Sequence, residues 1–182
     1  KWTYGGGWSS PVLGTATVNV SGNPSLSTLC GGGATATASC QNTDVNVSAN
    51  IGGWLYGGGE VGSVEKSAKL TITGGTFSGT ICGGGAAVDA VCGSTDVNIS
   101  GGTFGWINGG GREGNVTGEC YLKISGTPTV TGNVFGGSNQ KTTTVGSTRV
   151  EIAGGTFKDP DITTIGGAIF AGGWGCTVTG NT

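Results

Sequence analysis

The chain has 182 residues, of which 42 are glycine, 35% are hydrophobic and 10% are charged, with a formal net charge of −2. A substantial apolar fraction and the lack of a three-residue glycine period exclude a charged disordered chain and a collagen-like triple helix. The basic residues are few and scattered, and no apolar run reaches the roughly 18 residues of a membrane span, so neither nucleic acid nor a membrane is an expected partner.

Glycine triplets divide the chain at a constant interval. They begin at Gly5, Gly31, Gly57, Gly83 and Gly109, each 26 residues after the last, and weaker doublets follow at Gly136, Gly166 and Gly172. Such a period is the signature of a repeat architecture. We therefore predict one repeat domain over residues 1–182, with turns beginning near 5, 31, 57, 83, 109, 136 and 166.

A second phrase lies between the triplets and alternates apolar with polar residues, which is the period of a half-buried strand. Its seven copies are "ATVNVSG", "TDVNVSA", "AKLTITGG", "TDVNISGG", "CYLKISG", "TRVEIAGG" and "GCTVTGN". The alternation predicts a buried set of Val18/Val20, Val45/Val47, Leu70/Ile72, Val97/Ile99, Leu122/Ile124, Val150/Ile152 and Cys176/Val178.

Two further extended segments complete the predicted turn. One places Phe77/Ile81 and Phe104/Ile107 at matching positions, and a looser one carries Val64, Val88 and Val116. The sequence thus predicts an all-β parallel β-solenoid of about seven turns of about 26 residues, with three short strands per turn and glycine at the corners. A propeller or sandwich, the alternative, would need hairpin turns that the repeat does not supply in each unit.

Several residues recur at 52, twice the basic period. The cysteines Cys30 and Cys40 return as Cys82 and Cys92, and Trp2 returns as Trp54 and Trp106. An even set of six cysteines without histidine or a CxxC pair indicates disulfides and an oxidising, extracellular setting. We predict the pairs Cys30–Cys40, Cys82–Cys92 and Cys120–Cys176, although six cysteines allow other connectivities.

Outward residues of the strand phrase form two polar columns. They are Thr17, Asp44, Lys69, Asp96, Tyr121 and Arg149 in the first, and Asn19, Asn46, Thr71, Asn98, Lys123, Glu151 and Thr177 in the second. The first column fits either a ligand-facing stripe or a ladder that alternates charge between turns, and we favour the ladder. Glycosylation sequons occur at Asn19, Asn46, Asn98 and Asn115.

Aromatic residues near the triplets offer a candidate binding site. Trp2, Trp54, Tyr56 and Trp106 fit either a sugar-stacking platform or caps over glycine-exposed backbone. Catalysis is not expected, because histidine is absent and the carboxylates are dispersed. These carboxylates are Glu60, Glu65, Asp89, Glu113, Glu119, Asp159 and Asp161. No metal or cofactor is predicted.

The phrases "VNISGGTFGWINGGG" and "LTITGGTFSGTICGGG" resemble the glycine-rich right-handed parallel β-helix repeats of large bacterial surface and adhesin-like proteins, notably of gut Firmicutes. The resemblance covers nearly the whole chain. It implies a right-handed helix, an exported location and a passive surface, stalk or adhesion role with no catalytic residues.

The two ends of the sequence match the repeat at neighbouring positions. "KWTYGGG" is equivalent to "GWLYGGG", and "TVTGNT" to "TITGGT", so that Lys1 matches Gly105 and Thr182 matches Thr103. Such ends predict stacking on the neighbouring turns of a longer chain or on a second copy, as a head-to-tail homopolymer. The residues expected at that contact are Lys1, Trp2, Tyr4, Cys176, Val178 and Thr182.

The sequence therefore predicts a non-enzymatic extracellular structural protein, either a subunit of an end-to-end filament or a segment of a surface adhesin. A carbohydrate-binding module that uses the aromatic residues to bind surface glycans is the alternative. A remnant of a polysaccharide-acting β-helix enzyme is the third hypothesis.

Overall fold

The chain forms a parallel β-solenoid in a computed structural model that describes residues 1–158 and 167–182, and these residues contain no helix. Successive turns stack strand upon strand in three parallel sheets, two of seven strands and one of four. The chain runs from sheet 1 through a glycine corner into sheet 2, then through sheet 3 back to sheet 1. The predicted fold class is confirmed.

Sheets 1 and 2 have seven strands each. Sheet 1 contains β1 (Trp2–Tyr4), β3 (Thr28–Cys30), β5 (Leu55–Tyr56), β8 (Ile81–Cys82), β11 (Ile107–Asn108), β14 (Val134–Phe135) and β17 (Ile169–Phe170). Sheet 2 contains β2 (Val12–Val20), β4 (Cys40–Val47), β6 (Val64–Ile72), β9 (Cys92–Ile99), β12 (Val116–Ile124), β15 (Thr144–Ile152) and β18 (Thr177–Val178). Sheet 3 contains β7 (Thr76–Phe77), β10 (Thr103–Phe104), β13 (Thr129–Val130) and β16 (Thr156–Phe157), and isolated bridges extend it through Ile51 to Leu26.

The core lies between the three sheets and consists of stacked apolar columns. Sheet 2 contributes the predicted ladders, in which Val45 pairs with Leu70 and Val47 with Ile72, and these side chains are at most 2% exposed. Phe77 of sheet 3 pairs with Phe104, their rings 4.8 Å apart and nearly parallel. The predicted buried positions are confirmed for Val20 and from Val45/Val47 through Leu122/Ile124, whereas Val18 and Val150 are only partly buried and Ile152 is 40% exposed.

The three strands of a turn are divided differently from the prediction. The segment of Val64 and Val116 is the beginning of the long sheet 2 strand, whereas Phe77 and Ile81 belong to two different sheets. Val88 is wrong as a strand position: it lies in an exposed turn, and Cys92 takes the place between Val64 and Val116. A bulge in each long strand absorbs the difference in spacing.

The C-terminal phrase does not repeat the long-strand pattern as predicted. Val178 pairs with Val145, at the start of β15, instead of Ile152, and Thr177 pairs with Thr144. The cause is a longer turn, since Val134 pairs with Ile169, which lies 35 residues further on. The solenoid therefore makes about six turns between its first and last strands. The equivalence of Thr182 with Thr103 is wrong, because the Asn181 carbonyl accepts a hydrogen bond from the Thr148 amide.

Two kinds of glycine shape the corners. The first glycine of each triplet stacks on the first glycine of the next, and a side chain there would collide with a backbone carbonyl. Left-handed backbone occurs instead at the doublets, with φ of 104° at Gly75 and 109° at Gly102. The seventh corner is Ala171, on which Gly136 stacks. The predicted turn start at Gly166 lies outside the described residues.

The predicted disulfides are not formed, and all six cysteines are free thiols. Cys30 and Cys82 face outward from sheet 1, where they pack with Tyr56. Cys40 and Cys92 lie in a column of sheet 2 with Val64, so the pairs Cys30–Cys40 and Cys82–Cys92 belong to different sheets. Cys120 lies in β12 and Cys176 directly precedes β18, and β15 lies between these two strands. The two cysteines are therefore roughly 10 Å apart along the axis, too far for a disulfide.

Candidate functional site

The outer face of sheet 1 carries the aromatic residues singled out in the sequence. Because Leu29, Leu55 and Ile81 point into the core, the residues on either side of them point outward. One outward column is Trp2, Thr28, Trp54, Thr80 and Trp106, and the next is Tyr4, Cys30, Tyr56, Cys82, Asn108, Phe135 and Phe170. If one turn of the solenoid is called a rung, the 52-residue period places a tryptophan on the first, third and fifth rungs.

Four aromatic residues form a parallel arrangement at the N-terminal end of this face. The Trp2 and Tyr56 rings are 6.4 Å apart and inclined by 2°, and the Trp54 and Tyr56 rings are 5.9 Å apart and inclined by 6°. Tyr4 joins them, 6.2 Å from Trp2. The four rings are therefore nearly parallel. Residues at equivalent positions of the first and third rungs point their side chains in the same direction.

Loops that follow the glycine triplets fold over the second column. Ala86 packs against Tyr56, Cys30 and Cys82, all of which are at most 1% exposed. Tyr56 is thus buried beneath these loops, and the hypothesis that it faces a ligand is wrong. Trp2 remains 43% exposed, so it offers a free surface at the edge of the covered column.

A groove of about 280 Å³ opens between these loops and Trp2. Its lining includes Trp2, Glu60, Ala86, Arg112 and Glu113. The groove combines one aromatic surface, two carboxylates and one guanidinium, which is a set able to contact both the apolar and the hydroxyl faces of a small polar ligand.

The charged groups of the groove are held in place by aromatic neighbours. The Tyr4 hydroxyl donates a short hydrogen bond to the Glu60 carboxylate. Burial, and then this bond, raise the pKa of Tyr4 well above its usual range. The Arg112 guanidinium lies over the Trp54 ring, 5.1 Å from its centroid, and 3.3 Å from the Glu113 carboxylate. Trp54 therefore positions a charge and does not present an open ring face.

A second aromatic cluster lies at the C-terminal end of the same face. Trp106 contacts Phe135 and Trp174 at centroid distances of 5.8 and 5.6 Å, and Phe135 lies 5.0 Å from Phe170. Sequence reasoning missed Phe135 and Phe170, although both follow the outward column. Trp106 is 36% exposed, yet its ring packs within this cluster.

The outer face of sheet 2 is a polar ladder. The predicted first column is confirmed rung by rung, and so is the second as far as Glu151. Asp44 and Asp96 accept hydrogen bonds from Asn46 and Asn98 of their own strands at 3.3 and 2.7 Å. Among the described residues no ion pair joins Lys69 to either aspartate.

The charges of the ladder compensate one another in its last two long strands. Lys123 Nζ lies 2.6 Å from Glu151 Oε1, and the Tyr121 hydroxyl donates to Glu151 at 2.7 Å. Arg149 lies over the Tyr121 ring at 3.8 Å and contacts Glu119 at 3.5 Å. The part of this face formed by β12 and β15 is therefore a self-paired network rather than a free charged patch.

The thiols provide a direct test of the cysteine state. Burial raises the pKa of Cys82, Cys92 and Cys120 from 9.0 to about 12. We expect iodoacetamide at pH 8 to leave the native buried thiols unmodified, with Cys176 reacting first, and to label all six in denaturant. Mass spectrometry of the labelled protein gives the count. A native mass lower by two hydrogens per pair would show disulfides instead.

The same pKa shifts predict alkaline instability. A thiol that is harder to ionise when folded contributes stability that is fully present below pH 9 and is lost as the pH rises towards 12. Cys92→Val provides the control, because valine occupies the same column at Val64 and Val116. This variant should lose less stability between pH 9 and 11 in urea titrations. An unchanged pH profile would contradict the assignment.

The carboxylates named in the sequence come together only in part. Glu60 and Glu113 line the groove, while Glu119 pairs with Arg149. In the part of the chain that the structure describes, no group of three or more His, Cys, Asp or Glu residues is arranged to hold a metal ion. Asp159 and Asp161 lie outside the described residues. None of the described residues belongs to a helix that could cross a membrane.

Fold and site together define a parallel β-solenoid with an aromatic, charge-lined groove on one outer face. Comparison of the chain with protein-family models, curated proteins and solved structures found no match.

Proposed function

We propose that this chain is a non-enzymatic structural solenoid of the extracellular or cell-surface kind, whose end rungs stack on further rungs of the same type, either those of a second copy or those of a longer chain. Because the cysteines are not paired, the extracellular part of the proposal is supported only by the low charge, the Ser/Thr/Asn/Gly-rich faces and the resemblance to surface repeats. The stacking part is supported by the end rungs.

The observation that carries the proposal is the exposure of apolar side chains at the C-terminal rung, with Ile169 in the core column and Phe170 in the outward column of sheet 1. Ile169 and Phe170 are 41% and 39% exposed, whereas Val134 and Phe135, one rung earlier, are 0% and 2% exposed. An unpaired parallel edge with an apolar face is a template for a further strand. Another turn would bury these side chains as each turn buries the one before it.

The N-terminal rung offers the complementary edge. Strand β1 pairs with β3 on one side only, and Leu26 of the same rung is half-buried where its neighbour Ile51 is fully buried. A copy translated along the axis brings β1 onto β17 in the parallel direction that sheet 1 already uses. Such a contact is heterologous and does not close, so repetition yields an unbranched fibre.

Two end-blocking variants test this assembly. Ile169→Lys places a charge on one edge and Leu26→Lys on the other, and each is expected to abolish the fibres that the unaltered chain forms in negative-stain electron microscopy. A mixture of the two variants retains one intact edge from each partner. It should therefore stop at a dimer in analytical ultracentrifugation.

Leu13→Lys is the matched control, because Leu13 is 85% exposed on the long strand β2 and is not part of the stacked core. It should assemble like the unaltered chain. Monodisperse monomers of the unaltered chain at high concentration would overturn stacking on a second copy, as would fibres that persist in both end-blocking variants.

A further inference from the structure

We infer that the groove beside Trp2 binds a neutral pyranose unit of a glycan. The groove lies on the outer face of sheet 1, beside the edge strand β1 that the proposed stacking also uses. It assigns a stacking platform, a hydroxyl-binding wall and a charge preference to named residues.

Trp2 is the platform. Its side chain is 43% exposed and lines the groove, and its ring lies nearly parallel to the rings of Tyr56 and Tyr4. A flat, oriented and partly exposed indole presents the apolar surface on which the C–H face of a sugar ring can lie. Trp54 cannot serve in the same way, because the Arg112 guanidinium covers it.

Glu60 and Arg112 form the hydroxyl-binding wall. Each already has one fixed partner, the Tyr4 hydroxyl for Glu60 and the Trp54 ring for Arg112, and each lines the groove. Because these contacts orient the charged groups before binding, little side-chain entropy remains to be lost. A carboxylate accepts and a guanidinium donates, so together they can bind neighbouring hydroxyl groups.

The balance of charge selects a neutral ligand. Glu60 and Glu113 contribute two negative charges and Arg112 one positive charge, and Arg112 is already paired with Glu113 at 3.3 Å. An acidic sugar would place a third carboxylate beside these two, with a single guanidinium to balance all three. The groove, at about 280 Å³, lies at the lower end of the size range of ligand sites, which fits a single sugar unit within a longer glycan.

The test measures binding of neutral hexasaccharides of glucose, xylose and mannose, with hexagalacturonate as the acidic probe. Isothermal titration calorimetry is performed on the Ile169→Lys variant, so that failure of stacking does not affect the result. We expect at least one neutral probe to bind and hexagalacturonate to bind at least tenfold more weakly.

Variants separate the platform from the charge. Trp2→Ala should lower affinity for the neutral probe at least tenfold. Trp174→Ala removes an exposed tryptophan of the second cluster and should leave affinity unchanged. Glu60→Gln combined with Glu113→Gln should reduce the discrimination against hexagalacturonate.

Three results would overturn the inference. They are no binding of any neutral probe, equal losses in Trp2→Ala and Trp174→Ala, and preferential binding of hexagalacturonate by the unaltered groove. Circular dichroism of each variant shows whether the fold is intact, and Trp2→Phe offers a conservative platform if Trp2→Ala unfolds. This variant should recover part of the lost affinity.

Discussion

Gly83→Ala is expected to destabilise the solenoid by about 3 kcal/mol or more, because the new methyl group has no space between two turns. It would collide with the Gly109 carbonyl oxygen and lie 2.6 Å from Val97 Cγ2. The Gly109 carbonyl cannot retreat, since the Gly83 amide donates to the Asn108 carbonyl at 2.9 Å and the Gly84 amide to the Gly110 carbonyl at 3.1 Å. Separating the turns would break these bonds.

Gly105→Ala is the matched control for this corner. A side chain at Gly105 would meet no atom within 4 Å, and its φ is not positive. Its stability should therefore change by no more than about 0.5 kcal/mol, or increase through the reduced entropy of the unfolded chain. Urea unfolding followed by tryptophan fluorescence measures both variants. Equal stability of Gly83→Ala and Gly105→Ala would refute the close-approach explanation of the triplets.

The columns of residues that stack from one turn to the next were predictable, because they depend on two simple periods. Alternation fixes which side of a strand is buried, and the 26-residue spacing fixes which residues of successive turns align. Val45 aligns with Leu70 after 25 residues and Phe77 with Phe104 after 27, so the recurrence of the strand phrases sets the register and 26 is only its average spacing. The rules fail at Val178, because the chain between Val134 and Ile169 is longer than the repeat and shifts every later residue.

Sequence spacing could not reveal the surroundings of the cysteines. Cys30 and Cys40 flank one corner and look like partners, but a corner joins two sheets whose side chains point in different directions. Cys30 faces outward against Tyr56, whereas Cys40 stacks between Val12 and Val64. Their recurrence at Cys82 and Cys92 reflects repeated packing positions.

The groove was only partly predictable. The 52-residue period indicated Trp2 and Trp54 as members of one column, which the structure confirms. Nothing in the sequence indicates that Arg112, which is 58 residues beyond Trp54, lies over that ring, because its loop follows a different turn. The partnership of Tyr4 with Glu60 is hidden in the same way, since loop geometry decides it.

Thr95→Val is expected to lower stability by about 1–3 kcal/mol, through the loss of a buried hydrogen bond. The Thr95 hydroxyl donates to the Gly109 carbonyl at 2.7 Å across the interior of the corner, and Thr43 donates to Gly57 at 2.7 Å two rungs earlier. These bonds tie sheet 2 to the triplets that begin the next turn. With valine, the buried Gly109 oxygen loses this donor.

Thr148→Val tests the same substitution where the bond is missing. Thr148 is 4% exposed and occupies the same column as Thr95, but within the described residues its hydroxyl has no hydrogen-bond partner. The seventh corner has Ala171 where the earlier corners have glycine. Replacing an unpaired buried hydroxyl with a methyl group should be neutral or stabilising.

Urea unfolding gives the change in unfolding free energy for each of the two valine variants. Both replace a hydroxyl with a methyl group in the same column, so the difference between the two changes measures the contribution of the hydrogen bond. A loss in Thr95→Val alone would show that the corner bonds hold successive turns together. Equal losses would instead mean that the column tolerates no change of side chain, and that the alternation of threonine with Ala68 and Cys120 reflects packing alone.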